Sequence, residues 1–453
     1  MASVSVGIEL RVEWLDAPGV CAPELAATWA RYELWVDGRC VTQVEEPGGT
    51  FRRSVYGSLY PLAEWIATNW WPLTGHIRPS ATRSAYWTWS NLRRYPWLRQ
   101  HNLRGAGDGM AWPDLTVVPE GAITRLVWAA DEDRALGPLR FASRGRALVR
   151  SDEAGKALAG IVQRVLDRLA ESGVGKTPLS AEWADIGSAD EEERDFCLAA
   201  ARLGLDPYSV DEEASTKLLA IVPAIPDELR DDFLDSADLD TLGTAAAWLP
   251  KASEAAGRAS ADAAMSLTPL RAAVAGELSS GAVPDSAGLR RPWHVGFDMA
   301  RAVRQALDTE ATAPFDISAW VGARTLQGPA GGLQGFATVR DDRCGLALSD
   351  SPKFASTVGP GSHYRSFRRA KALGRALFRP HQRTFLLSSA HIGDDRVAGA
   401  FAAELLAPAE GIRRALATLE THDEDAALDV IASHFGVSPL TIRHQVDNQL
   451  EDI

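Results

Sequence analysis

Several groups of residues in this chain have the types that chemistry requires. Toward the C-terminal third lie His363, His381, His391 and Asp394. Imidazole and carboxylate are zinc ligands, and a helix points two of them to one side when they stand at i and i+4. No two of these histidines have that spacing. His381 and His391 fall in a connector, where a lone histidine is usually a polar surface residue. Rebuilding a metal site from them is one reading. A second group is the run TRSAYWTWSNLRRYPWLRQHNLR, in which Arg83, Trp87, Trp89, Arg93, Arg94 and Trp97 mix rings with cations. Such a surface can stack nucleic-acid bases or anchor a protein partner. The same rings can instead fill the core of a small sheet. Glu191, Glu192 and Glu193 read as a metal cluster or as the solvated first turn of a helix. The phrase VGKTP near 174–178 has the lysine and threonine of a phosphate loop without its glycines. No G-x-S-x-G elbow and no C-x-x-C occur, and Cys21, Cys40, Cys197 and Cys344 are scattered.

The strongest organisation surrounds 364–408. YRSFRRAKALGRALF predicts a helix whose Ala370, Leu373, Gly374, Leu377 and Phe378 share a face at spacings of three and four. DDRVAGAFAAELLAP predicts a second, with Val397, Ala398, Phe401, Ala402 and Leu405 on one face and Pro408 as its stop. Two such helices, facing each other, can hold a metal between them.

These phrases resemble the ImmA/IrrE family of zinc metallopeptidases over roughly the last third of the chain. The second phrase keeps Asp395, Ala398, Gly399, Phe401, Ala402, Ala403, Glu404, Leu405, Leu406 and Pro408 of the family pattern. The first keeps Ala370, Leu373, Gly374, Ala376 and Leu377. By the resemblance, Lys371 and Arg375 stand where two zinc-binding histidines belong, Ala372 where the general base belongs, and Asp395 at the third ligand. Lysine and arginine are cations at neutral pH and repel Zn²⁺. Alanine takes no proton. The resemblance therefore implies a zincin-type frame without its chemistry: no catalytic residue, no metal and no cofactor. The cations at 371 and 375 are expected to replace the dication and to pair with Asp394, Asp395 or Glu404. The alternative is that both are solvated on a surface helix.

Length and composition set wider bounds. The chain has 453 residues, a net charge of −13 and an isoelectric point near 5.3. That charge argues against general binding to nucleic acid or anionic membrane. No apolar run of membrane-spanning length is found, and no signal peptide is read at the N-terminus. A cytoplasmic setting is expected.

The fold class predicted is α+β, in three parts. Residues 1–150 read as a Trp-rich antiparallel-sheet domain, with eleven of the fifteen tryptophans between Trp14 and Trp128. A strand alternates through Val4, Val6, Ile8, Leu10, Val12 and Trp14. Hairpins are predicted at Asp37-Gly38 and at Pro119-Glu120-Gly121. SLYPLAEWIATNWW predicts one amphipathic helix, and LRFASRGRALVR one strand. Residues 151–280 read as a helical bundle, opened by a Ser151 cap and with Gly173 ending its first helix. The Ser/Gly/Pro-rich stretch 279–292 is taken as a hinge. Residues 281–453 read as the mainly helical peptidase-like domain with a small sheet. There APFDISAWVGAR predicts a helix, and FATVRDDRCGLALSDS strands.

The tail IASHFGVSPLTIRHQVDNQ fits a helix-turn-helix pattern. Yet Ala409 to Ile453 holds three arginines against nine acids, a poor match for a DNA reader. Three functions follow as expectations: a pseudopeptidase acting through a protein partner in stress, mobile-element or anti-phage regulation; a nucleic-acid-binding regulator; and a zinc endopeptidase with a relocated site.

Overall fold

A computed structural model describes residues 7–17, 19, 22–46, 48–75, 96–107, 109–131, 139–281, 291–329, 332–350, 362–388, 393–419 and 423–450. The fold is mixed α+β. The chain forms two compact units, and the helical stretch 151–280 is shared between them: its helices up to Asp211 belong to the first, and those from Glu212 to the second. The hinge region does not mark the division.

The first unit runs β1 (Ile8–Trp14), α1 (Pro23–Ala27), β2 (Trp29–Val36), β3 (Arg39–Cys40), β4 (Val44–Glu45), β5 (Phe51–Arg52), β6 (Val55–Ser58), α2 (Tyr60–Thr68), α3 (Trp70–Gly75), α4 (Pro96–His101), β7 (Asp114–Glu120), β8 (Ile123–Ala129), β9 (Arg140–Phe141), β10 (Gly145–Arg150), α5 (Ser151–Glu171), α6 (Pro178–Ser188) and α7 (Glu191–Arg202). Three small sheets result: β1-β2-β3 with β6 also on β2, β10-β8-β7, and β5-β4-β9. Asp37 and Gly38, both at positive φ, turn β2 into β3 as predicted. The second hairpin turns at Gly121-Ala122, because Pro119 and Glu120 are still paired in β7.

The helix predicted over 58–71 breaks at Asn69, so Trp71 is buried and Trp70 is only partly covered. Ser151 is the first helical residue rather than the cap; its hydroxyl donates to the Gly121 carbonyl. The strand predicted over 139–150 is two strands in two sheets. Tryptophans 65, 71, 97, 112 and 128 all lie in apolar cores, where large rings contribute most area.

The second unit runs α8 (Glu212–Ile221), α9 (Asp227–Leu234), α10 (Leu242–Asp262), α11 (Thr268–Gly281), α12 (Pro292–Ala306), β11 (Val321–Gln327), β12 (Leu333–Arg340), β13 (Arg343–Asp350), α13 (Ser362–Phe378), β14 (Thr384–Ser388), α14 (Gly393–Leu406), α15 (Ala409–Thr418), α16 (Glu424–Phe435) and α17 (Pro439–Gln449). Its sheet has the order β11-β13-β12-β14, with β11 parallel to β13 and the other pairs antiparallel. The segment 313–324, predicted helical, is a single 3-10 turn at Ile317–Ala319 leading into β11.

The alanine-rich α10 lies on this sheet. Gly322 and Gly345 are paired across β11 and β13. A Cβ on Gly322 would meet the Ala259 carbonyl oxygen at 1.8 Å, and one on Gly345 the Ala256 oxygen at 2.1 Å. Paired glycines and small helix residues thus let the backbones touch. Among the described residues, no helix is long and apolar enough to cross a membrane.

Candidate functional site

Helices α13 and α14 pack face to face with the apolar stripes that their sequences predict. Ala370, Leu373, Leu377, Val397, Phe401 and Leu405 are all buried. Gly374 admits the Phe401 ring, which a Cβ there would meet at 2.7 Å. This close approach brings the polar residues of the two helices together beneath the edge strand β14.

Lys371 is buried and its ammonium lies 3.0 Å from Asp395 Oδ1. The same ammonium donates to the Ser388 carbonyl at 2.7 Å, and the Ser388 hydroxyl donates to Asp395 Oδ2 at 2.7 Å. Each charge therefore has its opposite and a further hydrogen bond, the condition under which a buried pair is tolerated. One turn on, Arg375 NH2 lies 3.1 Å from Asp232 Oδ1 and 3.5 Å from Asp394 Oδ2. Asp394 is also gripped by both ends of the Arg379 fork at 2.9 Å. Asp232 comes from α9, and it accepts the Leu386 backbone N–H at 3.2 Å.

The electrostatics follow from burial. Desolvation pushes the Asp232 carboxyl upward, opposed by the adjacent Arg375 guanidinium. For Arg375, desolvation works to lower the pKa. The acids Asp232, Asp394 and Asp395 outweigh it and hold the guanidinium above its ordinary value. Arg375 stays a cation. Ala372, fully buried, adds a methyl group and no proton acceptor.

The structure thus joins Lys371 to Asp395 and Arg375 to Asp394, and it buries both cations. It does not bring Glu404 to either. Glu404 is taken at the far end of α14 by Arg301 Nε at 3.0 Å and by the amides of Gln445 and Gln449, each at 2.8 Å. The tail helix α17 therefore turns two of its polar side chains inward as packing groups. Asp232 escapes the sequence reading, although a signal was present: it shares a helix face with the buried Leu229 and Phe233, an odd place for an acid.

Among the described residues, no group of three His, Cys, Asp or Glu side chains is set to hold a metal. His363 and His381 are exposed, and His391 lies outside the described residues. Arg83, Trp87, Trp89, Arg93 and Arg94 of the aromatic–arginine run also lie outside them. Trp97 is no surface residue: it is 3% exposed and stacked on His101 with ring centroids 4.1 Å apart. Its ring fills a local apolar cluster with Leu98 and Val118. Glu191, Glu192 and Glu193 form the exposed first turn of α7, capped by Asp190.

Comparison of the sequence with protein-family models and with curated proteins finds no match.

Proposed function

We propose that this protein is a catalytically silent member of the ImmA/IrrE metallopeptidase fold, working as a binding, sensing or scaffolding module. The observation that carries this reading is the Lys371–Asp395 pair at 3.0 Å. It spans the two helix positions where the resemblance would put the first and third zinc ligands. A buried ammonium held by a carboxylate supplies the positive charge the metal would bring, without the Lewis acidity or the bound water that hydrolysis needs. The second ligand position is filled by Arg375, with Asp232 and Asp394 as its counter-charges.

On this reading the chain acts in the cytoplasm by contact with a protein partner, in stress, mobile-element or anti-phage regulation, and cleaves nothing. The test is elemental analysis of the full chain purified without chelator. Near-zero zinc is expected. About one zinc per chain would overturn the reading and call for peptidase assays.

A further inference from the structure

A cleft of about 880 Å³ opens at one end of the second unit's sheet, lined by Glu228 of α9, Arg271 of α11, the β12–β13 hairpin end from Thr338 to Asp342, and the connector from Pro380 to Thr384. Four cationic or titratable nitrogen side chains line it: Arg271, Arg340, His381 and Arg383. Two of the three acids in the wall are engaged. Asp342 accepts from Ser266 Oγ at 2.6 Å, Thr268 Oγ1 at 2.5 Å and Arg271 NH1 at 2.5 Å. Glu228 accepts from the Thr384 hydroxyl. Among the described residues, the guanidinium groups of Arg340 and Arg383 have neither an ion pair nor a hydrogen bond. Arg271 Nε is buried and likewise has no acceptor. The wall thus presents more unanswered donors than acids to answer them.

Arg340 also has a seat. A Cβ on Gly257 of α10 would lie 2.8 Å from Arg340 NH1 and 2.9 Å from its Cζ. The guanidinium rests on bare helix backbone that any other residue would occupy.

We propose that this cleft binds a small phosphorylated anion of about nucleotide size, held chiefly by Arg340 and Arg383. Guanidinium forks match phosphate oxygens two at a time. The volume falls within the range of roughly 300–1,000 Å³ usual for small-molecule sites. The net charge of −13 disfavours a long polyanion, which would feel the whole chain, over a small one that feels the local arginines. Gln382 lines the cleft and its Oε1 lies 3.4 Å from Arg375 NH2, so an occupant would touch the residue next to the buried charge cluster. The proposal holds whether or not the unit binds zinc.

The experiment is calorimetric titration of the full chain at low salt with inorganic pyrophosphate and with ATP. Saturable binding of at least one probe is expected, weakened about tenfold to a hundredfold by Arg340→Ala and by Arg383→Ala, the loss typical of a charge-assisted hydrogen bond. Gly257→Ala favours the helix and forces the guanidinium to shift from its seat. It should weaken binding while the melting temperature holds or rises, which separates the site from the fold. Binding of both probes means that phosphate is the feature read; binding of ATP alone means that the nucleoside adds contacts. Either supports the proposal when the arginine variants weaken it. No saturation by either probe at millimolar concentration overturns it, as does binding indifferent to both arginine variants. A single-stranded oligonucleotide bound far more tightly than ATP through the same arginines would overturn the small-ligand assignment.

Discussion

Helix α14 buries one acid near each end, and the two are satisfied in different ways. Asp395 is paired directly with one fixed cation, Lys371, whose side chain is 10% exposed, and also feels the charge of the buried Arg375. Glu404 faces two neutral amides, a backbone N–H from Ala409, and Arg301, whose side chain is 52% exposed. The first is a closed charge pair between α13 and α14. The second ties α12, α14 and α17 together with one carboxylate. One helix can therefore bury a carboxylate against a fixed ammonium at one end and against a mostly neutral set of donors at the other.

The contrast can be broken by substitution. Lys371→Met leaves Asp395 buried without its cation and should cost about 3–5 kcal/mol, read from urea denaturation. The double variant Lys371→Met/Asp395→Leu should recover most of that loss, since an apolar pair removes both desolvation penalties. If the single variant were as stable as the parent, the pair would not be the closed unit described. Glu404→Gln keeps the volume and one acceptor oxygen but removes the charge, and should cost about 1–2 kcal/mol.

Asp342 offers an intermediate case. Partial burial pushes its carboxyl up, but hydrogen bonds from Ser266 and Thr268, with Arg271 nearby, hold it below the ordinary value. A lowered folded-state pKa stabilises above the unfolded value, about 4, and the benefit fades as pH falls through the acid range. Asp342→Asn should therefore lower stability by about 1 kcal/mol at neutral pH and by less near pH 3, measured by thermal melts across pH. Arg301→Ala should matter least, within about 1 kcal/mol, because its half-exposed ion pair is screened by solvent.

The helices that frame the site were legible because their apolar stripes are long and regular. The expected stripe over Tyr364–Phe378 lies within the observed Ser362–Phe378, and the pairing of Lys371 with Asp395 follows from two helices meeting on those stripes. Asp232 was not legible as a partner of Arg375, because nothing local ties a residue in α9 to one 143 positions later. The middle segment is helical as expected, but the surface on which its alanine-rich helix packs was not legible, for a related reason. Alanines spaced along α10 fit a bundle as well as a sheet, and only the paired glycines of β11 and β13 decide between them. Trp97 shows the limit of composition: a ring among arginines reads either as a surface or as core, and the fold decides for core by burying it against Leu98 and Val118 and stacking it on His101.

The glycine–alanine seam beneath α10 also bears on how this fold could travel between proteins. A fragment cut at the Ser/Gly/Pro-rich stretch would carry the site helices and every strand of their sheet, but would leave behind the helix that roofs β11, β12 and β13. The faces around Gly322 and Gly345, which α10 covers at backbone contact, would then lie bare. The compact unit that holds this sheet starts at Glu212, well before the Ser/Gly/Pro-rich stretch that looks like its beginning.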